Sequence, residues 1–76
     1  MEKVIVHFGN LIPKEDFEDD EIRTRTLREG VHAIANIQGL TIGREFGASC
    51  AVLVEGTHEI LERLRAVLEE KNLGNR

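Results

Sequence analysis

The sequence predicts a small α+β domain of the split βαβ type, with its elements in the order β-α-β-β-α. Short β-branched runs that read as strands are interrupted by two longer segments whose apolar residues recur with helical spacing. The chain has 76 residues, which is enough for one domain with a modest hydrophobic core. No repeat, linker or low-complexity stretch divides it, so we expect a single α+β domain over residues 1–76.

Strand one is predicted over Val4–Phe8 and ends at Gly9-Asn10. The first helix is predicted from the acidic turn Glu18–Glu21 to about Gln38, with Gly39 as its stop. Asp19–Arg23 and Glu21–Arg25 have the i,i+4 spacing of favourable ion pairs. Residues 21–27 also alternate in polarity, as an edge strand would, but the charge pairs and end signals favour the helix. Its buried stripe is predicted as Leu27, Val31, Ile34 and Ile37 or Gln38, with Gly30 and Ala33 alongside.

Strand two is predicted over Leu40–Phe46. Arg44 falls on its apolar face unless Gly43 forms a bulge, which glycines inside strands often mark. Gly47-Ala48 fits a two-residue type II′ hairpin loop. Strand three, Ser49–Glu55, is apolar on both faces and is therefore expected at the centre of the sheet.

The last helix is predicted to begin after Thr57, its N-cap, and to end at Leu73-Gly74. Its apolar stripe is Ile60, Leu61, Leu64, Val67 and Leu68. A right-handed crossover predicts strands one and three as parallel neighbours, with strand two at an edge and both helices on one face. We expect a three-stranded sheet with the fourth strand missing, because only Asn75 and Arg76 follow Gly74.

Composition limits the possible functions. Hydrophobic residues make up 41% and charged residues 32% of the chain, which is typical of a globular protein. The net charge of −4 and the absence of Trp and Tyr disfavour a nucleic-acid partner. Neither a signal peptide nor a membrane-spanning run is evident. We therefore expect a cytoplasmic protein without a membrane partner, and the single cysteine excludes an internal disulfide.

No motif predicts catalysis, a cofactor or a metal site. His7, His32 and His58 are scattered over different elements, and Cys50 has no neighbouring cysteine. A phosphate loop requires glycines that follow a strand and precede a helix. The glycines of residues 39–47 instead follow a helix and flank a strand. An anion site is conceivable at Arg23, Arg25 and Arg28, although their acidic neighbours pair with them. We expect a protein that is not an enzyme.

Two features predict contact with a protein partner. The edge of strand one, with Val4, Ile5, Val6 and His7, offers unpaired peptide groups on a mostly apolar strand. The acidic run that includes Asp19, Asp20 and Glu21 is a second candidate, for a basic partner. We expect a homodimer, formed either through the strand-one edge or through the open sheet face that carries Ile5, His7, Ala51 and Leu53.

The order of elements resembles ferredoxin-like plaits. The segments Val4–Phe8 and Ala51–Arg65 are similar to the first strand, and to the third strand and second helix, of the subtilisin-propeptide-like inhibitor family. That resemblance implies an inhibitor whose C-terminal tail enters a protease cleft, and Lys71–Arg76 is the segment free to do so. A second resemblance, to ACT-like regulatory domains, rests on element order and Gly9-Asn10 and implies a small ligand.

The function predicted from these observations is a non-catalytic interaction or regulatory module that self-associates. A propeptide-like protease inhibitor and a small-ligand-binding regulatory domain are the alternatives.

Overall fold

The computed structural model describes residues 1–71 of the chain. Its regular elements are β1 (Glu2–His7), α1 (Asp20–Ile34), β2 (Thr41–Phe46), β3 (Ala51–Gly56) and α2 (His58–Glu70). The α+β class, the βαββα order and the helical conformation of residues 21–27 are confirmed. The predicted end of the last helix at Leu73-Gly74 lies outside the described residues.

The sheet has the strand order β1-β3-β2, with β3 in the centre as predicted. β3 is antiparallel to both of its neighbours, so the prediction that strands one and three are parallel was wrong. The reason is the short β2–β3 connection, which reverses the chain. The crossover through α1 therefore makes β1 and β2 the parallel strands, and β3 is inserted between them with the opposite direction.

The hydrophobic core lies between one face of the sheet and the two helices. Val6, Val52 and Val54 share that face, and they belong to one buried cluster with Leu27 and Ile34 of α1 and Leu64 of α2. Phe8, which follows β1, is fully buried. Gly30 of α1 lets the helix approach the Phe8 ring, since a Cβ at this position would lie 2.7 Å from ring carbons. Both helices thus cover the same face, as predicted.

α1 ends at Ile34, four residues before the predicted end at Gln38. The chain continues in tight turns, in which the N–H of Ile37 donates to the carbonyl of Ile34 at 3.1 Å. These turns bring Ile37 back into the core, where it is 8% exposed, although the helix has stopped. Gly39 has a φ of +90°, so this glycine reverses the chain before β2 and does not cap the helix directly.

The connection between β2 and β3 also differs from the prediction. The chain forms a 3₁₀ turn over Gly47–Ser49, followed by Cys50 in the left-handed region at φ 54° and ψ 52°. A type II′ loop needs positive φ at its first central residue, but Gly47 is not among the residues with positive φ. Burial of the Cys50 side chain in the core offsets the cost of this backbone conformation, about 1 kcal/mol for a residue with a Cβ.

Replacement of Leu64 by Ala should lower the free energy of unfolding by about 2–5 kcal/mol, because Leu64 is 4% exposed at the centre of the α2 stripe. The neighbouring exposed residue gives a matched control, since Arg63→Ala should change the free energy of unfolding by less than about 0.5 kcal/mol. Urea denaturation followed by circular dichroism measures both. Equal, small effects would show that this stripe is not the core contact of the helix.

Candidate interaction site

The outer edge of β1 is open in the part of the chain that the structure describes. β1 pairs with β3 residue for residue, from Glu2↔Gly56 to His7↔Ala51. The N–H of Phe8 donates to the carbonyl oxygen of Cys50 at 2.8 Å, which fixes the phase of this antiparallel ladder. Because bonded and non-bonded pairs alternate, every second residue of β1 directs its N–H and C=O away from β3. These residues are Lys3, Ile5 and His7.

The four contact residues predicted on β1 differ in accessibility. Val4 is 37% exposed and Ile5 is 50% exposed, and His7 is exposed as well. Val6 is only 6% exposed and belongs to the core. Its peptide groups face β3 by the same alternation, so Val6 stabilises the fold and offers no backbone hydrogen bond to a partner strand.

A groove of about 490 Å³ lies beside this edge, between β1 and one flank of α2. From β1 it is lined by Val4 and Val6, and from α2 by a leucine stripe with the spacing of one helix flank. The stripe consists of Leu61, Leu64 and Leu68. Charged groups of the same helix, among them Arg65, also line the groove. An apolar centre with a charged rim is the composition of a protein-binding surface.

The first residues of α2 and of β1 lie close together at one end of the groove. His58 begins α2, and its Nδ1 lies 3.9 Å from Oε2 of Glu2 at the start of β1. The predicted core-facing stripe includes Leu61 and Leu68, but both are only partly buried. The predicted stripe thus contains the leucines of the groove, but the pattern does not indicate that part of it stays uncovered.

The opposite edge of the sheet, along β2, is irregular. The register with β3 shifts between Ile42 and Glu45, so Gly43 and Arg44 together oppose the single residue Leu53. This is the predicted bulge. Arg44 and Glu45 are exposed, and the guanidinium carbon of Arg44 lies 5.5 Å from the centre of the Phe46 ring. A bulge and charged side chains hinder the addition of another strand, so β1 is the more accessible edge.

The open face of the sheet is a weaker candidate for self-association. Of the residues predicted there, Ala51 is 1% exposed and Leu53 is half-buried. Ile5 is therefore the main apolar projection on this face, and it also borders the β1 edge.

The acidic run at the start of α1 has structural roles. Oδ1 of Asp19 accepts hydrogen bonds from the N–H groups of Glu21 at 2.9 Å and Ile22 at 3.3 Å, so Asp19 is the N-cap. Asp20 forms an ion pair with Arg23. The predicted pair Asp19–Arg23 is wrong because the cap occupies the Asp19 carboxylate. Within residues 1–71 no ion pair joins Glu21 to Arg25 either, and all three residues, Asp19, Asp20 and Glu21, are exposed.

Arg23 fastens the loop that precedes α1. Its guanidinium donates to the Phe17 carbonyl oxygen and to Asp20, and its central carbon lies 5.7 Å from the centre of the Phe17 ring. The side chain is 15% exposed. These contacts, together with the carboxylates that surround Arg25 and Arg28, do not favour an anion site at this arginine cluster.

The cysteine is buried, whereas the three histidines are exposed. Cys50 is fully buried, and its thiol donates to the Arg23 carbonyl oxygen at 3.7 Å. Burial raises the pKa of the Cys50 thiol, and the positive charge of Arg23 offsets this only in part. Successive side chains of a strand point to opposite faces of the sheet, so the side chain of His7 lies on the face opposite to core-facing Val6. Both His32 and His58 are exposed. No nucleophile–base pair is formed by these residues.

Residues 1–71 contain no group of three or more His, Cys, Asp or Glu side chains placed to hold a metal ion. None of the helices described there has the length and apolar character needed to cross a membrane.

Replacement of Asp19 by Ala should lower the free energy of unfolding by about 1 kcal/mol, because the first N–H groups of α1 lose their acceptor. Glu18→Ala removes the same charge from an exposed neighbour without a capping role, and we expect a change below about 0.5 kcal/mol. Thermal melts of the two variants give the comparison. If both changes have the same effect, net charge and not the cap determines the stability of this helix start.

The Cys50 thiol should react with a thiol-specific reagent at least about 100-fold more slowly in the native protein than in denaturant, since reaction requires local opening. Its raised pKa has a second consequence. Above the ordinary pKa range of cysteine the unfolded thiol ionises while the folded thiol stays protonated, so the free energy of unfolding should fall as the pH rises. Native labelling as fast as in denaturant would contradict the burial of this residue.

Comparison with known proteins gives no relative from which a function could be transferred. No family model matches the chain, and no curated protein or solved structure matches it. The similarities to propeptide-like inhibitors and ACT-like domains therefore stay predictions.

Proposed function

We propose that this chain is a non-catalytic interaction module that binds a partner strand at the outer edge of β1, with self-association as the expected form. The observation that carries the proposal is the contrast between the two sheet edges. β1 keeps an unbroken register and turns three sets of peptide groups outward, whereas β2 is bulged and charged. Such an unprotected edge is a template for strand addition.

The groove between β1 and α2 supports the same assignment. Strand addition at a bare edge gives backbone hydrogen bonds but little apolar burial. Here the edge adjoins exposed Val4 and the half-buried Leu61 and Leu68, so a partner would also remove apolar surface from water. A domain of this length has a small core, and oligomerisation is a common source of added stability at this size.

The distribution of reactive groups supports a non-catalytic role. Acid–base or nucleophilic catalysis requires two such groups within hydrogen-bonding reach. In the described part of the chain the Cys50 thiol is enclosed by the core, and His7 lies across the sheet from it. At the start of α1, Asp19 is engaged in capping and Asp20 in an ion pair.

Replacement of Ile5 by Pro should weaken self-association at least about tenfold, because it removes one outward N–H from each copy. The fold should persist, since the Ile5 N–H does not take part in the ladder with β3. Sedimentation equilibrium over micromolar concentrations measures association, and circular dichroism checks the fold.

Ile5→Thr is the matched control, because it keeps the N–H while shortening the apolar side chain. We expect Ile5→Thr to associate much more strongly than Ile5→Pro. Equal loss in both variants would assign the contact to the open sheet face, where the side chain matters and the N–H does not. A wild-type chain that stays monomeric over the whole range would refute self-association.

A further inference from the structure

We propose that the partner strand is β1 of a second copy, paired antiparallel about a two-fold axis at Ile5. This inference rests on the proposed function and specifies its geometry. In the resulting dimer, Ile5 lies opposite the partner's Ile5 and Lys3 lies opposite the partner's His7. The two three-stranded sheets join into one six-stranded sheet with all four helices on one face.

The hydrogen-bonding phase selects this register. Only Lys3, Ile5 and His7 direct both peptide groups to the free edge, as the Phe8–Cys50 bond shows. A register centred on Ile5 pairs each of these three residues with another of the three, so every outward group of the strand is satisfied. An axis at Val4 would instead place His7 opposite the partner's Met1, which lies outside the strand. An axis at Val6 would place Lys3 opposite the partner's Gly9, which also lies outside it.

The side chains are compatible with this register. Paired residues of antiparallel strands lie on the same face, which sets Val4 beside the partner's Val6 on the helix side and the two Ile5 side chains together on the open side. No carboxylate lies opposite a carboxylate across the axis, and no ammonium lies opposite an ammonium. Within its own chain, Lys3 already has Glu55 as its cross-strand neighbour.

The groove identifies a second copy as the occupant. A peptide strand alone would cover the edge of β1 and leave the leucine flank of α2 open. A second copy supplies its own α2, whose leucine flank lines the same groove as its β1. The two-fold axis brings the two grooves to the same face of the joined sheet, so the second copy adds apolar surface next to the leucine flank that an isolated peptide strand lacks.

Single-cysteine crosslinking tests the register. Across a hydrogen-bonded antiparallel pair the Cα atoms are about 5.5 Å apart, within the range of a disulfide. Ile5→Cys should therefore form a covalent dimer under mild oxidation. Val4→Cys is the matched control, because the two Val4 positions would be about 8 Å apart, too far for a disulfide. The wild-type chain, whose buried Cys50 is its only thiol, gives the background.

A mixture of two further variants provides an independent test. Lys3→Cys and His7→Cys should each stay uncrosslinked alone, since each position is far from its own copy, and should form the mixed dimer when combined. Non-reducing gels and mass spectrometry identify the products. Circular dichroism confirms that each variant is folded before oxidation.

The outcomes separate the register from the function. Crosslinking of Ile5→Cys and of the mixture, with little product from Val4→Cys, supports the two-fold axis at Ile5. Efficient crosslinking of Val4→Cys, or a wild-type dimer whose Ile5→Cys variant does not crosslink, overturns the register and leaves self-association standing. A wild-type chain that is monomeric by sedimentation overturns both.

Discussion

The central strand β3 is the constraint on which the rest of the structure depends, because both of its edges and its helix-covered face are engaged. β1 and β2 pair with its two edges, and Val52 and Val54 are completely buried beneath the helices. A strand in this position cannot itself offer peptide groups to a partner. The two outer strands must therefore be the edges of the sheet, and their difference determines where another molecule can bind.

Much of this arrangement follows from local pattern. The apolar side chains of Val52 and Val54 indicated a buried strand. Thr57 predicted the start of α2, and Gly43 indicated the bulge in β2. Each of these signals acts within a few residues. Thr57 confirms the point, since its hydroxyl accepts from the N–H of Ile60 at 3.3 Å, as an N-cap should.

The features that escaped prediction depend on contacts between distant segments. The direction of β1 relative to β3 is set by the whole path through α1, not by either strand. α1 ends early because Ile37 reaches the core through a turn, and Cys50 adopts a left-handed conformation because its side chain fills a space beside α1. The groove is likewise a property of the pair β1 and α2. For the candidate site, the sequence pattern indicated the strand that contains Val4, Ile5 and His7. It could not show that these residues are exposed while Val6 is buried.

The bulge at Gly43 and Arg44 has a consequence for the size of any assembly. Joining two copies through β1 consumes both regular edges and leaves a β2 strand at each outer end of the combined sheet. Those ends carry the slipped register and the charged pair Arg44 and Glu45. A two-fold contact is closed by symmetry, and the termini that remain resist further strand addition. In the proposed dimer the irregular strand would therefore limit growth to a pair and oppose propagation into a fibril.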